Sequence, residues 1–580
     1  MHAELIDGIG VSIAGDLGDP LLNTWILWWN AQQVPLTDAY WNAPSFAPMP
    51  NALALSETLL GLTWLTTPLQ WLGAPALVAY NATFILAPVL NGLSAYWLCL
   101  VLTSRREAAV VGAIAFAFAP YHAARVSHIQ TEAMFFMPLA LVGLHLYWKT
   151  GHSRWLVMLA VSTALNALAC GYLLLYFSVL LGIAVAWLAI SSGDRKKLAA
   201  VIAAIGAAAI MIAPVMLQYR AVRNELGLTR SGTENESLSA DVASVGLGSS
   251  HLAVWPLHTL PHRSETAAYP GMVIGGLIAA AGVSMLMRRR RSPFERPPTL
   301  MIVAAGIAIA TMVVGAIAID RPYKVIGVGL DVLLITILVS KPFRDLIRSG
   351  SIPGLYLTGF IAAGALSLGP VGRVFGHRFW YKAPFAWLMT LPGYDWARVP
   401  ARFSSVEVLC LSVLAAYAVI RLWPHTTRAA LLATTAILAL IVVDGWRLIP
   451  VVRVPAPVEV TLAADLVIEL PTHGWQEDVR AMYRGISHGR PVMNGYSGFV
   501  PPHYVQLQLD LRKDCVKSIE AVRGGRSVDA LIWRAEPGAA EIDAELRRMW
   551  PAAAREETPA LIVYRQPRSQ PADTNHIDCH

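Results

Sequence analysis

Two aspartates stand close together in a short glycine-containing segment near the start of the chain, Gly15-Asp16-Leu17-Gly18-Asp19-Pro20. A carboxylate in an exposed loop can act as a general base on a hydroxyl group. Asp19 before Pro20 also suits a helix start, because a carboxylate caps free N–H groups and proline fits the first helical position. Asp16 has no such structural explanation. The pair is therefore either catalytic or simply solvated, with Asp19 serving as a helix cap.

An ionisable residue interrupts the apolar stretch from Leu53 to Gly73. Glu57 lies in Leu55-Ser56-Glu57-Thr58-Leu59, and a carboxylate buried in lipid is costly unless it is paired or hydrated. Such a residue usually lines a cavity, which makes Glu57 a candidate for substrate binding. An interfacial helix with Glu57 facing water explains the pattern equally well. We interpret this stretch as an interfacial or re-entrant helix.

The segment 120–132 carries polar side chains at helical spacing. Four of them fall at i, i+4, i+7 and i+11, which predicts one helix face: Tyr121, Arg125, His128 and Glu132. With Gln130 nearby, this face predicts a binding site for a polar substrate. The alternative is an interfacial anchor, in which Tyr121 and Arg125 reach toward the headgroups and His128 pairs with Glu132.

The segment 369–403 has an excess of positive charge. Five cations face one acid, Asp395, and these cations are Arg373, Arg378, Lys382, Arg398 and Arg402. Such an excess predicts a compensating anion. Arginine binds phosphate through two parallel hydrogen bonds, so Arg398 and Arg402 are candidates for holding a phosphate leaving group. Binding of lipid headgroups uses the same physics without catalysis.

The composition indicates a lipid environment for most of the chain. Of 580 residues, 55% are hydrophobic and 14% charged, and the mean hydropathy is +0.50, which is too apolar for one water-soluble globule. The net charge of +7 does not indicate nucleic acid binding, because the cations form short clusters between apolar stretches. Among the five cysteines, only Cys515 and Cys579 lie in the polar C-terminal region. Their spacing predicts neither a disulfide framework nor a metal site.

About twelve apolar stretches have a length near that of a bilayer core. They lie at 75–103, 107–120, 131–149, 154–171, 172–191, 198–218, 269–287, 299–318, 324–340, 353–368, 404–422 and 428–447. Alternate connections carry the cationic clusters and are predicted to be cytoplasmic: Arg105/Arg106, Lys149/Arg154, Arg195 to Lys197, Arg288 to Arg291, Lys341/Arg344/Arg348 and Arg421/Arg428. The other connections, and everything after Trp446, then face outward.

Both ends of the chain differ from this apolar middle. The first 104 residues contain no Lys or Arg, so residues 1–74 are predicted to be an external loop, and we expect an apolar span upstream of Met1 in the native reading frame. Residues 448–580 read as an extracytoplasmic α/β domain. Strands are predicted at Leu466–Leu470, Val528–Trp533 and Ala560–Tyr564, and helices at Tyr504–Val522 and Ala540–Trp550. The fold class is thus a mostly α polytopic bundle, residues 75–447, followed by an α/β domain.

Taken in order, several motifs resemble those of bacterial polytopic membrane proteins related to the GT-C glycosyltransferases. They are Gly-Asp-x-x-Asp-Pro with Asn23 and Trp25–Trp29, Ser56-Glu57, Pro120-Tyr121 through Gln130, Leu391-Pro392 through Phe403, and Asn494-Gly495-Tyr496-Ser497-Gly498-Phe499. The segment from about 180 to 350 matches in hydropathy alone.

The resemblance implies an enzyme of the bacterial cytoplasmic membrane with its active site on the extracytoplasmic side. Such enzymes move a sugar from a polyprenyl-phosphate carrier to a glycan, lipid or protein acceptor. An acid of the first external loop, matching Asp16 or Asp19 here, serves as the base. Arg398 and Arg402 would hold the phosphate, and Glu57, Tyr121, Arg125, His128 and Gln130 would orient the substrates. No cofactor is assigned beyond the lipid-linked sugar as donor substrate. A divalent metal stays open, since no carboxylate cluster is distinctive enough to assert a metal site.

A non-enzymatic transporter or lipid flippase is the alternative interpretation. It predicts ionisable residues near the middle of helices and two related halves. Asp331 is the most central acid, but the other polar groups gather at the predicted external ends of the spans. No internal repeat is evident. We therefore expect a glycosyltransferase.

Overall fold

The computed structural model describes residues 3–228, 232–254, 266–289, 322–391, 393–394, 397–472, 474–513 and 515–569. The chain is mostly helical and divides into two compact units. The bundle unit comprises Phe84–Met211 and Arg230–Ile449, and the α/β unit comprises His2–Thr83, Ile212–Thr229 and Pro450–His580. The predicted division at residues 74 and 447 stays a prediction, and each unit is described by itself.

The first half of the chain contains these α-helices: α1 Ala3–Asp7, α2 Asp19–Gln32, α3 Asp38–Trp41, α4 Thr63–Trp71, α5 Ala76–Thr103, α6 Arg106–Ala117, α7 Ile129–Glu132, α8 Phe136–Thr150, α9 Arg154–Ala169, α10 Gly171–Ser192, α11 Arg195–Leu226, α12 Gly232–Ser237 and α13 Met272–Arg289. The second half contains α14 Pro322–Val339, α15 Lys341–Arg348, α16 Ile352–Ser367, α17 Pro384–Leu388, α18 Ser404–Leu422, α19 Arg428–Asp444, α20 Trp475–His488, α21 Pro502–Leu511, α22 Ser518–Arg523 and α23 Ala539–Met549. The strands are β1 Ser12–Ala14, β2 Val371–Val374, β3 His377–Tyr381, β4 Val451–Arg453, β5 Leu466–Leu470, β6 Val528–Trp533, β7 Ala554–Glu557 and β8 Leu561–Gln566.

Six helical segments in the described part of the chain are long and apolar enough to cross a membrane. They are Ala76–Thr103, Arg106–Ala124, Ile129–Thr150, Gly171–Ser192, Arg195–Leu226 and Pro400–Leu422. Lys324–Val339 and Lys341–Arg348 together give a seventh, bent by 46°. Helices occupy every predicted apolar stretch except 299–318, which lies outside the described residues, as do the side chains of the Arg288 to Arg291 cluster. The chain is a multi-pass membrane protein.

Connections that were predicted to be cytoplasmic contact one another within the bundle unit. The Tyr417 hydroxyl donates a hydrogen bond to the carbonyl of Leu102 at 3.0 Å, and the Arg105 guanidinium donates to the carbonyl of Trp423 at 2.7 Å. Elsewhere Lys197 Nζ donates to the carbonyl of Trp148 at 2.9 Å. Cationic side chains at these helix ends bind free backbone carbonyls, which are the electronegative ends of helices.

The C-terminal part of the α/β unit is built on a four-stranded sheet in the order β5-β6-β8-β7. Strands β5 and β6 are parallel, and the other pairs are antiparallel. The three predicted strands are confirmed, as is the helix near 540–550. The single helix predicted over Tyr504–Val522 is wrong, because a polar stretch separates α21 from α22. Cys515 in that stretch is disulfide-bonded, which the cysteine spacing did not predict.

The first loop and the C-terminal domain share one hydrophobic core inside the α/β unit. Phe46 and Leu55 from the loop pack in the same buried cluster as Ile468 and Tyr504 of the domain. The rings of Phe46 and Tyr504 meet edge to face with centroids 5.2 Å apart. Strand β1 also pairs with β4 in an antiparallel register. The loop therefore contributes to the folded core.

Asn494 fixes the backbone at the centre of this core. Its amide nitrogen donates to the carbonyl of Glu469 at 3.0 Å, and its side-chain oxygen accepts from the Glu469 N–H at 2.8 Å. The same amide nitrogen donates to buried Asp478, which also accepts from Tyr504 and Gln508. Burial raises the pKa of Asp478 to about 7 despite these donors.

Topology can be tested with a matched pair of single cysteines. Val34 is 70% exposed in the first loop, and Ser153 is exposed between α8 and α9 in a connection predicted to be cytoplasmic. We expect Val34→Cys to react with an impermeant thiol reagent added to intact cells, and Ser153→Cys to react after permeabilisation, with the wild type as background. The reverse pattern of labelling would overturn the predicted orientation.

Candidate functional site

The two aspartates of residues 15–19, here called the acidic loop, have different partners. Asp16 is exposed, and its Oδ1 accepts a hydrogen bond from the Gly18 N–H at 2.7 Å. Asp19 is half-buried, and its Oδ1 accepts from the Tyr496 hydroxyl at 2.8 Å. Helix α2 begins at Asp19 itself with Gly18 at the cap position. The interpretation of Asp19 as the helix cap is therefore wrong, and Asp16 does have a local structural role.

Glu57 lies in a break between two short 3-10 turns, Ala52–Leu55 and Leu60–Leu62. Of the stretch from Leu53 to Gly73 that was interpreted as an interfacial or re-entrant helix, Thr63–Trp71 is α-helix. The side chain of Glu57 is half-buried. On its two sides, the hydroxyls of Ser56 and Ser497 are 2.6 Å apart, and the Thr58 N–H donates to the Tyr219 hydroxyl at 2.9 Å.

The segment 120–132 is a broken helix. A 3-10 turn covers Pro120–Ala124, four residues follow without helix, and α7 begins at Ile129. Pro120 lacks an N–H donor, and the chain continues through i to i+3 hydrogen bonds, including those from Arg125 N–H to His122 and from His128 N–H to Arg125. The single helix face predicted for Tyr121, Arg125, His128 and Glu132 is wrong.

A buried charged cluster involves Glu132. Its two carboxylate oxygens lie 2.9 Å from Arg447 Nη1 and 3.2 Å from His122 Nδ1, and all three side chains are at least 96% buried. Arg447 also donates to the carbonyl of His122 at 3.0 Å. The expected pairing of Glu132 with His128 is wrong. Because a lone buried charge is very costly, this cluster joins the 120–132 segment to the chain after α19.

Arg447 reaches this cluster because the backbone turns closely at Gly445. A Cβ atom at that position would lie 1.7 Å from the carbonyl oxygen of Phe118. Asp444, one residue earlier, accepts hydrogen bonds from the Tyr269 hydroxyl and the Val273 N–H, both at 3.0 Å. A glycine is thus required where the end of α19 meets the end of α6.

Arg125, Arg402, Tyr121 and Tyr172 form what we call the arginine cluster of the bundle unit. Arg125 is fully buried with its guanidinium 5.2 Å from the centroid of the Tyr121 ring, and Arg402 is 5% exposed at the same distance from the Tyr172 ring. Both arginines interact electrostatically with Tyr121. Two buried guanidinium groups held near aromatic rings by cation–π attraction suit a phosphate or carboxylate ligand.

The position of Arg402 is fixed by the start of α10. Arg402 lies in the 3-10 turn Pro400–Phe403, directly before α18. The Tyr176 hydroxyl donates to the carbonyl of Val399 at 2.7 Å, and the Tyr176 and Phe403 rings have centroids 4.5 Å apart. The aromatic residues of α10 therefore hold this turn on both sides of Arg402.

Acids from 232–241 compensate most of the cations of 369–403. Glu236 pairs with Arg373 at 3.1 Å and Arg378 at 3.0 Å, and Glu234 lies 2.6 Å from Arg398 Nε. The expectation that this excess charge requires a bound anion is therefore wrong for these three residues. Asp395 lies outside the described residues. The side chain of Arg398 is 39% exposed, whereas Arg402 is buried, so the two arginines differ in their access to water.

The nine candidate site residues fall into two sets. Asp16, Asp19 and Glu57 belong to the α/β unit. The bundle unit holds half-buried His128, buried Gln130, and Tyr121, Arg125, Arg398 and Arg402. Sequence reasoning missed Arg447, His122 and Tyr496. The partners of Arg447 and Tyr496, which are Glu132 and Asp19, are hundreds of residues away in the chain. The charge of Arg447 beside a predicted external end was the available signal.

Two acids in helices of the bundle unit bear on the transporter interpretation. Asp331 accepts a hydrogen bond from the Trp380 indole at 2.9 Å, so this acid has a structural partner. Glu407, which the sequence reading overlooked, is 8% exposed in the first turn of α18. The described residues contain no group of three or more His, Cys, Asp or Glu arranged to hold a metal.

A cavity of about 70 Å³ lies at the ends of β5 and β6 in the C-terminal domain. Its lining includes Glu469, Arg484 and Trp533. Arg484 pairs with Glu469 and stacks on Trp533 at 4.2 Å from the ring centroid, and the Trp533 indole donates to Glu469 at 2.6 Å. The charged groups of this wall are thus bonded to one another.

Comparison with known proteins identifies the fold. Residues 60–321 match a family described as a domain of unknown function, DUF6311, and no protein with a curated description matches the chain. The structure is similar to the arabinofuranosyltransferase AftD from Mycobacteria, with a TM-score of 0.50 and 12% identity over 95% of this chain. This chain spans 40% of AftD.

Two further structures overlap less well. One is the archaeal oligosaccharyltransferase AglB from Archaeoglobus fulgidus, in complex with an inhibitory peptide and a dolichol-phosphate, with 14% identity and a TM-score of 0.40 over 90% of this chain and 66% of that chain. The other is ArnT from Cupriavidus metallidurans in the apo state, with 13% identity and a TM-score of 0.38 over 97% and 95%. The resemblance to GT-C glycosyltransferases is confirmed for the fold. The chain is a multi-pass membrane protein of the GT-C fold class.

The buried Glu132–Arg447 pair can be tested by a double-mutant cycle. Arg447→Met leaves the Glu132 charge buried without its arginine, and we expect a loss of roughly 3–5 kcal/mol in the free energy of unfolding. The double variant Glu132→Leu/Arg447→Met removes both charges and should lose less. Denaturant unfolding of the full chain in detergent provides the measurement, and equal losses in the single and double variants would contradict this account.

Proposed function

We propose that this chain is an integral membrane glycosyltransferase that moves a sugar from a polyprenyl-phosphate donor to an extracytoplasmic glycan, lipid or protein acceptor. The observation that carries the proposal is the acidic loop, a fixed pair of carboxylates following β1 in a chain of the GT-C fold. Both carboxylates are held by hydrogen bonds from other residues, and Asp16 remains exposed. Preorganised acids are what general base catalysis requires.

Asp16 is the proposed general base. Its hydrogen bond from the Gly18 N–H orients the carboxylate, and its exposure allows an acceptor hydroxyl to approach. The acceptor proton moves to this carboxylate while the acceptor oxygen bonds to the anomeric carbon of the donor. The bond from that carbon to the phosphate oxygen breaks, and polyprenyl phosphate leaves with the electron pair. Asp19, bonded to Tyr496, holds the loop in place.

Arg125 and Arg402 are the proposed phosphate ligands. Negative charge develops on the departing phosphate, and buried guanidinium groups stabilise it more than solvated ones do. Arg402 keeps the role proposed for it from the sequence, whereas Arg398 is paired with Glu234 and is assigned to loop structure. Glu57, Tyr121, His128 and Gln130 are proposed to orient the donor and acceptor. The transferred sugar is a hexosyl or pentosyl group.

Two observations support an extracytoplasmic site in the bacterial cytoplasmic membrane. Residues before Arg105 carry no positive charge, which is typical of translocated segments. Cys515 of the C-terminal domain is disulfide-bonded, and disulfides persist mainly in oxidising compartments. The acids and arginines named above supply the base and the phosphate ligands of the proposed reaction.

Asparagine substitutions separate the roles of the two aspartates. Asp16→Asn keeps the shape but cannot accept the proton, so we expect turnover to fall roughly a hundredfold or more with donor binding retained. Asp19→Asn can still accept the Tyr496 hydrogen bond and should lose little activity. Transfer from a polyprenyl-phosphate sugar by the purified full-length protein is the assay. Full activity in both variants would exclude an acidic-loop base and favour transport.

Lysine substitutions separate the two arginines. Arg402→Lys keeps the charge but loses the planar fork, so donor affinity and rate should both fall, each by roughly tenfold. Arg398→Lys is the matched control, because a partly exposed lysine can still pair with Glu234 and should change donor affinity by less than about twofold. Donor binding is measured directly by titration of the protein in nanodiscs. Equal effects in the two variants would contradict the assignment of Arg402.

A further inference from the structure

Trp475 of the C-terminal domain lies against the acidic loop within the α/β unit. A Cβ atom at Gly18 would be 3.1 Å from the Trp475 ring and 2.9 Å from Asp16 Oδ1. The ring and the carboxylate therefore face the same small volume, and the glycine allows both to be there. Trp475 is 49% exposed although it begins the otherwise partly buried helix α20.

Tyr496 extends this aromatic surface and bonds to the loop. Its ring centroid is 5.7 Å from that of Trp475 with an interplanar angle of 37°. Its hydroxyl donates to Asp19 at 2.8 Å, so one edge of the ring is fixed by the loop. We call Trp475 and Tyr496 the aromatic platform. It places a partly exposed indole beside an exposed carboxylate.

The platform cannot shift easily, because its neighbours on both sides are anchored. A Cβ at Gly495 would lie 2.2 Å from the Phe46 ring, so residue 495 contacts the first loop directly. On the other side of Tyr496, the Ser497 hydroxyl donates to the carbonyl of Leu55 at 2.6 Å. Asn494 is bonded to both Glu469 and Asp478. The rings are thus preorganised.

A flat aromatic face beside a carboxylate matches the surface of a sugar ring. The axial C–H groups of a pyranose or furanose pack against an aromatic face, while its hydroxyls bond to acidic side chains at the edge. A lipid acceptor would instead require a continuous apolar groove, and a peptide acceptor would require backbone hydrogen-bond partners. At this place the described residues offer one exposed indole, one half-buried phenol and two carboxylates.

We propose that the aromatic platform is the acceptor subsite and that the acceptor is a glycan, with one sugar ring stacked on Trp475 and its hydroxyl directed to Asp16. This inference rests on the proposed function, because the base belongs to the acidic loop. It makes the C-terminal domain part of the substrate-binding site. Tyr496 is a positioning residue that acts through Asp19, and Trp475 contacts the acceptor.

The ligand contact can be measured without turnover. Saturation-transfer NMR on the full-length protein in nanodiscs, with soluble arabinan, mannan and galactan fragments as probes, should show contact with at least one fragment. Trp475→Leu should abolish that contact, while Trp71→Leu, which removes a 75% exposed tryptophan of the same unit, should retain it. Contact that persists in Trp475→Leu, or no contact with any fragment at millimolar concentration, would overturn the subsite.

The kinetic readout distinguishes this inference from the proposed function. Trp475→Leu should raise KM for the glycan acceptor roughly tenfold with donor KM unchanged. Tyr496→Phe keeps the ring but removes the hydrogen bond that holds Asp19, so kcat should fall roughly tenfold or more while KM for the acceptor stays near the wild-type value. Tyr483→Phe in α20 is the hydroxyl-deletion control and should alter neither quantity.

Failure of the acceptor subsite and failure of the proposed function give different results. A wild type that transfers sugar to a lipid or a peptide but not to a glycan retains the proposed function and overturns the acceptor subsite. A wild type that binds glycan but transfers nothing from a polyprenyl-phosphate donor overturns the proposed function and retains the subsite. Equal changes in donor and acceptor KM in Trp475→Leu would indicate an interfacial anchor and would also overturn the subsite.

Discussion

The packing of the Phe46 ring against Gly495 and Tyr504 is the contact on which the α/β unit depends. It places a side chain of the first loop in the core of the C-terminal domain, and the missing Cβ at position 495 is what makes room for it. Burial of an aromatic side chain contributes roughly 1.5–3 kcal/mol. Tyr496 follows Gly495 directly in the chain, so this contact also helps to position the hydroxyl that donates to Asp19.

In the bundle unit the main constraint is the free-energy cost of burying a charged side chain away from water. Glu132 is bonded to Arg447 and His122, and Arg125 stacks on Tyr121. The Glu132–Arg447 pairing draws together two helix ends that the apolar spans alone would leave unspecified. The same constraint explains why segment 120–132 abandons a regular helix, since a continuous one would keep its polar groups at a fixed spacing that does not match these partners.

Periodic and local features of the fold could be predicted from the sequence. Strands β5 and β6 stand out as runs of apolar residues between polar segments, and the long spans follow from bilayer thickness. The segments 53–73 and 120–132 were interpreted as helices, but both are broken. A sequence pattern does not show which distant residue a buried polar group will pair with, and such pairings interrupt the helix. Asp19 and Tyr496 are 477 positions apart, and Glu132 and Arg447 are 315 positions apart. The sequence indicated which residues were candidates for the site, but it did not indicate which residues they interact with.

The shared core of the first loop and the C-terminal domain has a consequence for biosynthesis. Roughly 450 residues separate Phe46 from Gly495. At about 5–20 residues per second, the ribosome needs on the order of 20–90 s after it adds Phe46 to reach Gly495. During that interval the nascent first loop carries an apolar aromatic side chain without its binding partner. Proteases and holdase chaperones that act on the loop therefore compete with translation, because the loop packs against a domain that is synthesised long after it.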